Sequence, residues 1–161
     1  MKLRHCYEKG ISLVEVIIAS AVISLSMIYI SNVYGNFLSL SIDNTDKVQA
    51  VFLLDEGVEA IKTMRGYSWA SIASSTVGST YYLTWQNSRW QSTTTANTID
   101  SKFTRKYTVS NVYRDASTLN IVTSGGVLNT DTKLINLDVS WTQNGTTTNK
   151  QTSFYIFNLY E

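Results

Sequence analysis

Lys9-Gly10-Ile11-Ser12-Leu13-Val14-Glu15 opens the longest apolar run of this chain and leads directly into Val16-Ile17-Ile18-Ala19-Ser20-Ala21-Val22-Ile23. The run over residues 11–30 spans about 30 Å if it is helical, because each residue of an α-helix adds ~1.5 Å, and that length crosses a bilayer core. Glu15 is its only charged residue. A charge in hydrocarbon costs about 2.5–3.5 kcal/mol at the centre of a span, so we expect Glu15 to be functional and to have a partner.

A glycine separates this apolar run from a short basic head. The basic residues of the head are Lys2, Arg4 and Lys9. A secretory signal has its small-residue cleavage site after its apolar region, whereas Gly10 comes before it. The order of these features resembles the class III leader of type IV prepilins: a basic head, a glycine, an apolar residue, and a glutamate five positions after the glycine. Phe is commoner than Ile at the first mature position in that family, so Ile11 is a departure, although an apolar one.

The prepilin resemblance implies a set of processing and assembly residues. Prepilin peptidase cuts after the glycine of such leaders and methylates the new amine, which implies cleavage after Gly10 and a methylated Ile11. It further implies that Glu15 is the assembly residue that pairs with such an amine. The implied location is a single pass of the cytoplasmic membrane, followed by a pilus or pseudopilus at the cell surface. Positive charge stays on the cytoplasmic side, so the basic head predicts that the chain beyond the span lies outside the cytoplasm.

The apolar run is expected to form one helix that continues without proline to about Arg65. Its serines are compatible with a helix, because a serine hydroxyl can bond back to a carbonyl one turn earlier. Past Ser41 the pattern becomes amphipathic, with apolar residues recurring at spacings of three and four. These residues are Val48, Val51, Leu54, Val58 and Ile61. Arg65 followed by Gly66 predicts the helix end, a cation in the last turn and glycine just past it.

After Gly66 the periodicity changes from helical to strand-like. We predict strands over residues 81–85, 103–113, 119–122, 135–141 and 154–160, and loops over 67–78 and 91–97. Clean alternation of apolar and polar residues over 135–141 is typical of a half-buried strand. Asn144-Gly145 is the preferred pair for a tight hairpin turn. These patterns predict an α+β fold, a long N-terminal helix packed against a C-terminal antiparallel sheet, and the prepilin resemblance implies that this fold is pilin-like.

Four segments follow from this interpretation. They are a leader over residues 1–10, a transmembrane and assembly helix over 11–34, the amphipathic half of the helix over 35–66, and a β-rich head over 67–161. The run over 54–65 with Trp69, the strand over 103–109 and the hairpin over 139–145 resemble minor prepilins of the pilus-modification type. The resemblance thus covers nearly the whole chain.

Composition argues against an enzyme. The formal net charge is +1, and the single histidine and single cysteine, His5 and Cys6, both lie in the leader. A chain cleaved after Gly10 would lack disulfides, Ser-His-Asp and Cys-His catalysis, and most zinc sites. Four aspartates are candidate calcium ligands: Asp100, Asp115, Asp131 and Asp138. They are dispersed and have no calcium-loop spacing, so we expect no metal and no cofactor.

Nucleic-acid binding is the other chemistry that the sequence raises. Aromatic and basic residues interleave at Trp85, Arg89, Trp90, Lys102, Phe103, Arg105, Lys106 and Tyr107. Such a pattern can bind single-stranded DNA by stacking and phosphate contacts. A near-neutral chain offers little electrostatic affinity, and aromatic residues at alternating strand positions are more often core. DNA is therefore not the expected partner.

The function expected from the resemblance is that of a structural minor pilin subunit. Its expected partners are the membrane, prepilin peptidase, other pilin subunits through helix packing, and an assembly platform with its ATPase. Alternatives are a pseudopilin of type II secretion or competence, an adhesin at the fibre tip, and a plain single-pass membrane protein in which Gly10 and Glu15 coincide by chance.

Overall fold

The computed structural model describes residues 12–143 and 145–159, and it contains two helices and six strands within them. Helix α1 covers Leu13–Tyr67, and a single turn, α2, covers Ala70–Ala73. The strands are β1 Thr80–Gln86, β2 Arg89–Thr93, β3 Phe103–Arg114, β4 Ile121–Val122, β5 Val127–Gln143 and β6 Thr146–Phe157. The fold is α+β, a long N-terminal helix packed against an antiparallel sheet, which confirms the predicted fold class. The chain divides into two units after Thr45. The boundaries at residues 34 and 66, between the transmembrane helix, its amphipathic half and the β-rich head, stay a prediction.

The sheet has the strand order β2-β1-β3-β5-β6, with β4 paired to the end of β3, and every pairing is antiparallel. Strands β1 and β2 are joined by Asn87 and Ser88, whose φ angles of 53° and 60° are those of a type I′ hairpin turn. Gln143 of β5 pairs with Thr146 of β6, so two residues connect these strands as well. Gly145 has a φ of 79° there, and Asn144 lies outside the described residues. The predicted final hairpin is present.

The core lies between the sheet and the part of α1 that belongs to the second unit. Strand β3 places Phe103, Tyr107 and Val109 on the core face, and β5 places Ile135, Leu137, Val139 and Trp141 there; all are buried. The intervening Asn136, Asp138 and Ser140 are exposed or half-buried on the outer face. The alternation predicted over 135–141 is therefore confirmed. A period of two necessarily sends one residue set to each face of a sheet.

The packed face of α1 includes three of the five residues that the apolar spacing predicts: Leu54 and Ile61 are buried, and Val58 is partly buried against the core. Its buried residues are Asp46, Ala50, Leu54, Gly57, Ala60, Ile61 and Met64. Val48 is 55 % exposed and Val51 45 %, so both lie off the packed face. The physical reason is the close approach of the sheet, which selects residues with little or no side chain, Ala50, Gly57 and Ala60, and leaves the bulkier valines at the flank.

Several element boundaries also differ from the predictions. Helix α1 ends at Tyr67, so Gly66 is helical, and α2 lies within the predicted loop over 67–78. Strand β2 occupies the start of the predicted loop over 91–97, β5 begins at Val127, and β6 begins at Thr146. These added strand segments are rich in threonine, a residue that favours extended structure but carries no apolar periodicity to reveal it.

Candidate functional site

Of the predicted processing and assembly residues, only Glu15 lies within the described residues. Gly10 and Ile11 lie outside them. Glu15 is the acidic residue in the first turn of α1, and the Ser12 carbonyl accepts its backbone N–H at 2.9 Å. Negative charge is favourable at this end of a helix, where unpaired N–H groups leave a partial positive charge. Among residues 12–143 and 145–159, no side chain pairs with Glu15.

Helix α1 exposes an apolar surface throughout the first unit. Large apolar residues between Leu13 and Ile42 are 37 % to 76 % exposed, and none of the most apolar stretch is buried within the protein. The helix is long and apolar enough to cross a membrane by length and composition. The hydroxyls of Ser20, Ser24 and Ser26 donate to carbonyls three or four residues earlier, as predicted. These serines therefore satisfy their own polar groups inside an apolar surface.

In the second unit, Arg105 of β3 ties the sheet to α1. Its side chain is 3 % exposed, and its Nη1 donates to Glu56 Oε2 at 2.6 Å and to the Leu53 carbonyl at 3.0 Å. The guanidinium also lies 5.2 Å from the centre of the Trp90 ring. Arg105 Nε is buried and lacks a partner among the described residues. A buried guanidinium needs these groups because an unpaired charge in the core is strongly destabilising.

A second ion pair joins the same helix to the loop before β3. Lys102 Nζ lies 2.6 Å from Asp46 Oδ1, and Asp46 is the more buried partner, at 6 % side-chain exposure against 34 %. Gln49, one turn further along α1, donates to Asp100 Oδ2 at 3.0 Å. Asp100 and Ser101 have φ angles of 52° and 55°, a tight turn that points the loop at the helix. Sequence reasoning missed this contact, because Asp46 and Lys102 are far apart in the chain and neither stands in a motif.

The aromatic and basic residues that could bind DNA do not come together on one surface. Three of its residues are buried in the core: Phe103, Arg105 and Tyr107. Burial raises the pKa of Tyr107, although a hydrogen bond with the Ser92 hydroxyl partly offsets it. Lys102 pairs with Asp46, and Lys106 lies 3.9 Å from Asp138 on the other face of the sheet. What remains together is Trp85, Arg89 and Trp90, on the β1–β2 hairpin.

The four aspartates that are candidate calcium ligands each have a different setting. Among the described residues, no three His, Cys, Asp or Glu side chains group together in a way that could hold a metal ion. Asp115 is the most strongly perturbed: the Ser117 hydroxyl and the backbone N–H groups of Thr118 and Ser117 donate to it and hold its pKa at about 2, below the ordinary 3.8. Its role is to close the turn after β3.

Comparisons with protein-family models, with curated proteins and with solved structures find no match for this chain. What the protein does must therefore be argued from its own residues and their geometry. The strongest such feature is the exposed apolar part of α1 with a carboxylate in its first turn.

Proposed function

We propose that this protein is a minor pilin subunit, held in the cytoplasmic membrane by residues 11–34 and then packed helix to helix into a type IV pilus. The supporting observation is the apolar surface that α1 exposes throughout the first unit, with Glu15 in its first turn. Apolar surface of that extent needs a bilayer or other helices to cover it. A minor pilin uses both covers in succession.

The chemistry around Glu15 favours a pilin over a plain membrane anchor. A plain anchor has no use for a carboxylate in its span, because the charge opposes insertion. Cleavage after Gly10 would create a positively charged amine at Ile11, four residues from Glu15. Buried in a fibre, that amine could pair with Glu15 of its own chain or of a neighbouring subunit, and a paired buried charge is tolerated where an unpaired one is not.

The proposed partners follow from this role. Prepilin peptidase would process the leader, an assembly platform with its ATPase would extract the subunit, and other pilin subunits would pack against α1. A pseudopilin of type II secretion or competence would use the same anchor with different partners. The role is structural and not catalytic; His5 and Cys6 are the only residues of their types and lie in the part that cleavage removes.

Mass spectrometry of the N-terminal peptide, from cells that contain a prepilin peptidase, tests the proposal. We expect a mature chain that begins at a methylated Ile11. Gly10→Val should block cleavage, whereas Gly35→Ala, at a site with nothing within 4 Å of the added Cβ, should be processed normally. A protein that still begins at Met1, or one cut after the apolar run, would contradict the proposal.

A further inference from the structure

A cleft lies where the C-terminal end of α1 meets the β1–β2 hairpin. Its volume is about 390 Å³, and its walls include Tyr67, Ser68, Ser71, Arg89, Trp90 and Gln91. Tyr67 is the last residue of α1, and Arg89 is the first residue of β2, directly after the hairpin turn. We call this site the Tyr67–Arg89 cleft. All of its walls belong to the second unit, and its volume falls in the range of small-molecule sites.

The charge of the cleft is a single unpaired guanidinium. Arg89 is exposed, its Cζ lies 5.5 Å from the centre of the Tyr67 ring, and no carboxylate pairs with it among residues 12–143 and 145–159. None of the residues that line the cleft is acidic. A guanidinium over an aromatic ring still has its N–H fork available for a carboxylate. The cleft therefore favours an anion, and one with a single charge.

The rest of the cleft offers a rigid aromatic wall and several neutral polar groups. Trp90 is held edge-on by Trp85, with 5.4 Å between ring centres, and by the Arg105 guanidinium. The Ser71 hydroxyl donates its proton to the Ser68 carbonyl at 2.7 Å, so its lone pairs remain free to accept. The Gln91 amide reaches the Gln86 carbonyl only at 3.4 Å, a long hydrogen bond that a ligand can replace.

We propose that the Tyr67–Arg89 cleft binds an acidic carbohydrate, a uronic acid residue whose carboxylate engages Arg89. A sugar ring has an apolar side for the aromatic wall and hydroxyls for Ser71 and Gln91. Single-stranded DNA fits less well, because nucleic-acid affinity comes from several cations along a track and this cleft has one. The inference does not depend on the pilin role, since it uses only residues of the second unit.

Saturation-transfer NMR on the full chain in neutral polyoxyethylene micelles, which carry neither sugar nor anion, tests the inference. The probes are methyl β-D-glucuronide, the neutral methyl β-D-glucoside and a thymidine dodecamer. We expect millimolar binding of the glucuronide and binding of the glucoside at least tenfold weaker, because the charge-assisted contact is lost. Arg89→Gln should weaken glucuronide binding about tenfold or more. Lys150→Gln removes one exposed cation from β6 and should leave binding unchanged.

The outcomes separate the alternatives. Equal glucuronide binding by the unmodified protein and Arg89→Gln would overturn the proposal, as would equal binding of glucuronide and glucoside. Binding of the dodecamer without the glucuronide would reassign the cleft to nucleic acid. Absence of binding by all three probes would also overturn it. Tyr67→Ala gives a second check at an exposed residue, where loss of the ring beneath Arg89 should weaken glucuronide binding while the tryptophan fluorescence stays that of the folded protein.

Discussion

Gly57→Ala probes a close approach between α1 and β5. A Cβ added at Gly57 would lie 2.8 Å from Leu137 Cδ2 and 3.0 Å from Arg105 Cδ. Contacts this short require a neighbour to move. Leu137 is fully buried, and Arg105 is tied to Glu56 and to the Leu53 carbonyl, so both side chains are held in place.

Two opposing terms set the size of the effect. Alanine is better than glycine in a helix interior by about 1 kcal/mol. Overpacking a close-packed core costs roughly 1–3 kcal/mol, and the upper half of that range applies because both neighbours are held. We therefore expect a net loss of about 1–2 kcal/mol in the free energy of unfolding. Gly66→Ala, in the last turn of α1 with nothing within 4 Å, is the matched control and should gain about 0.5 kcal/mol.

Urea unfolding of the full chain in micelles measures the difference. All four tryptophans, Trp69, Trp85, Trp90 and Trp141, belong to the second unit, so their fluorescence reports that unit alone. An unchanged slope against urea would show that the variants alter stability and not the compactness of the unfolded state. A Gly57→Ala protein as stable as Gly66→Ala would refute the reasoning. Leu137→Val combined with Gly57→Ala should recover part of the loss beyond additivity, since the two residues touch.

Three other outcomes are expected. Lys102→Met should lower the free energy of unfolding in urea by about 2 kcal/mol, because it leaves the buried Asp46 carboxylate unpaired. Asp46→Asn should cost less, because the lysine can turn to solvent. The reverse ranking would show that the pair is held by something else. Asp115 has a folded pKa of about 2 against the ordinary 3.8, so its contribution to stability is present above pH 3.8 and is lost as pH falls through about 2. The stability difference between the unmodified protein and Asp115→Asn should vanish there. A difference that persists at lower pH contradicts this assignment. Glu15→Ala and Glu15→Leu should leave membrane insertion intact or slightly improved but reduce incorporation into fibres. The measurement compares the level of each variant in the membrane fraction with its level in sheared fibres. Normal incorporation of either variant would show that Glu15 is not the assembly contact.

The parts of the fold that sequence predicts are those with a strong local period. The apolar run over 11–30 and the alternation over 135–141 each identify an element without any knowledge of its neighbours. The face that α1 turns to the sheet is predicted only in part, through Leu54, Val58 and Ile61. Glycine and alanine give little hydropathy signal, so apolar periodicity does not identify Ala50, Gly57 and Ala60 as packed residues. It identifies Val48 and Val51 instead, although both lie off the packed face.

The candidate sites divide in the same way. Gly10, Ile11 and Glu15 form a local sequence motif whose roles stay a prediction, and only Glu15 of the three lies within the described residues. The Tyr67–Arg89 cleft forms where the end of a helix contacts a hairpin, and no local sequence pattern predicts that contact. Arg105 is one of the residues that could bind DNA by sequence, and arginine is rarely buried, so no local pattern predicts its place in the core. Its burial follows from Glu56 and Trp90, which reach it from other elements.

Strand β6 is a long edge strand of the sheet. Among the described residues no strand pairs with its outer side, and over Thr146–Phe157 it carries one charge, Lys150, and no proline. Natural sheets usually guard such an edge with charges, prolines or bulges, because an open row of N–H and C=O groups templates further strands. Concentrated preparations of this protein should therefore aggregate through β6 before they unfold. A second lysine at the strand centre, Thr152→Lys, would act as a gatekeeper and raise the concentration at which the protein stays in solution.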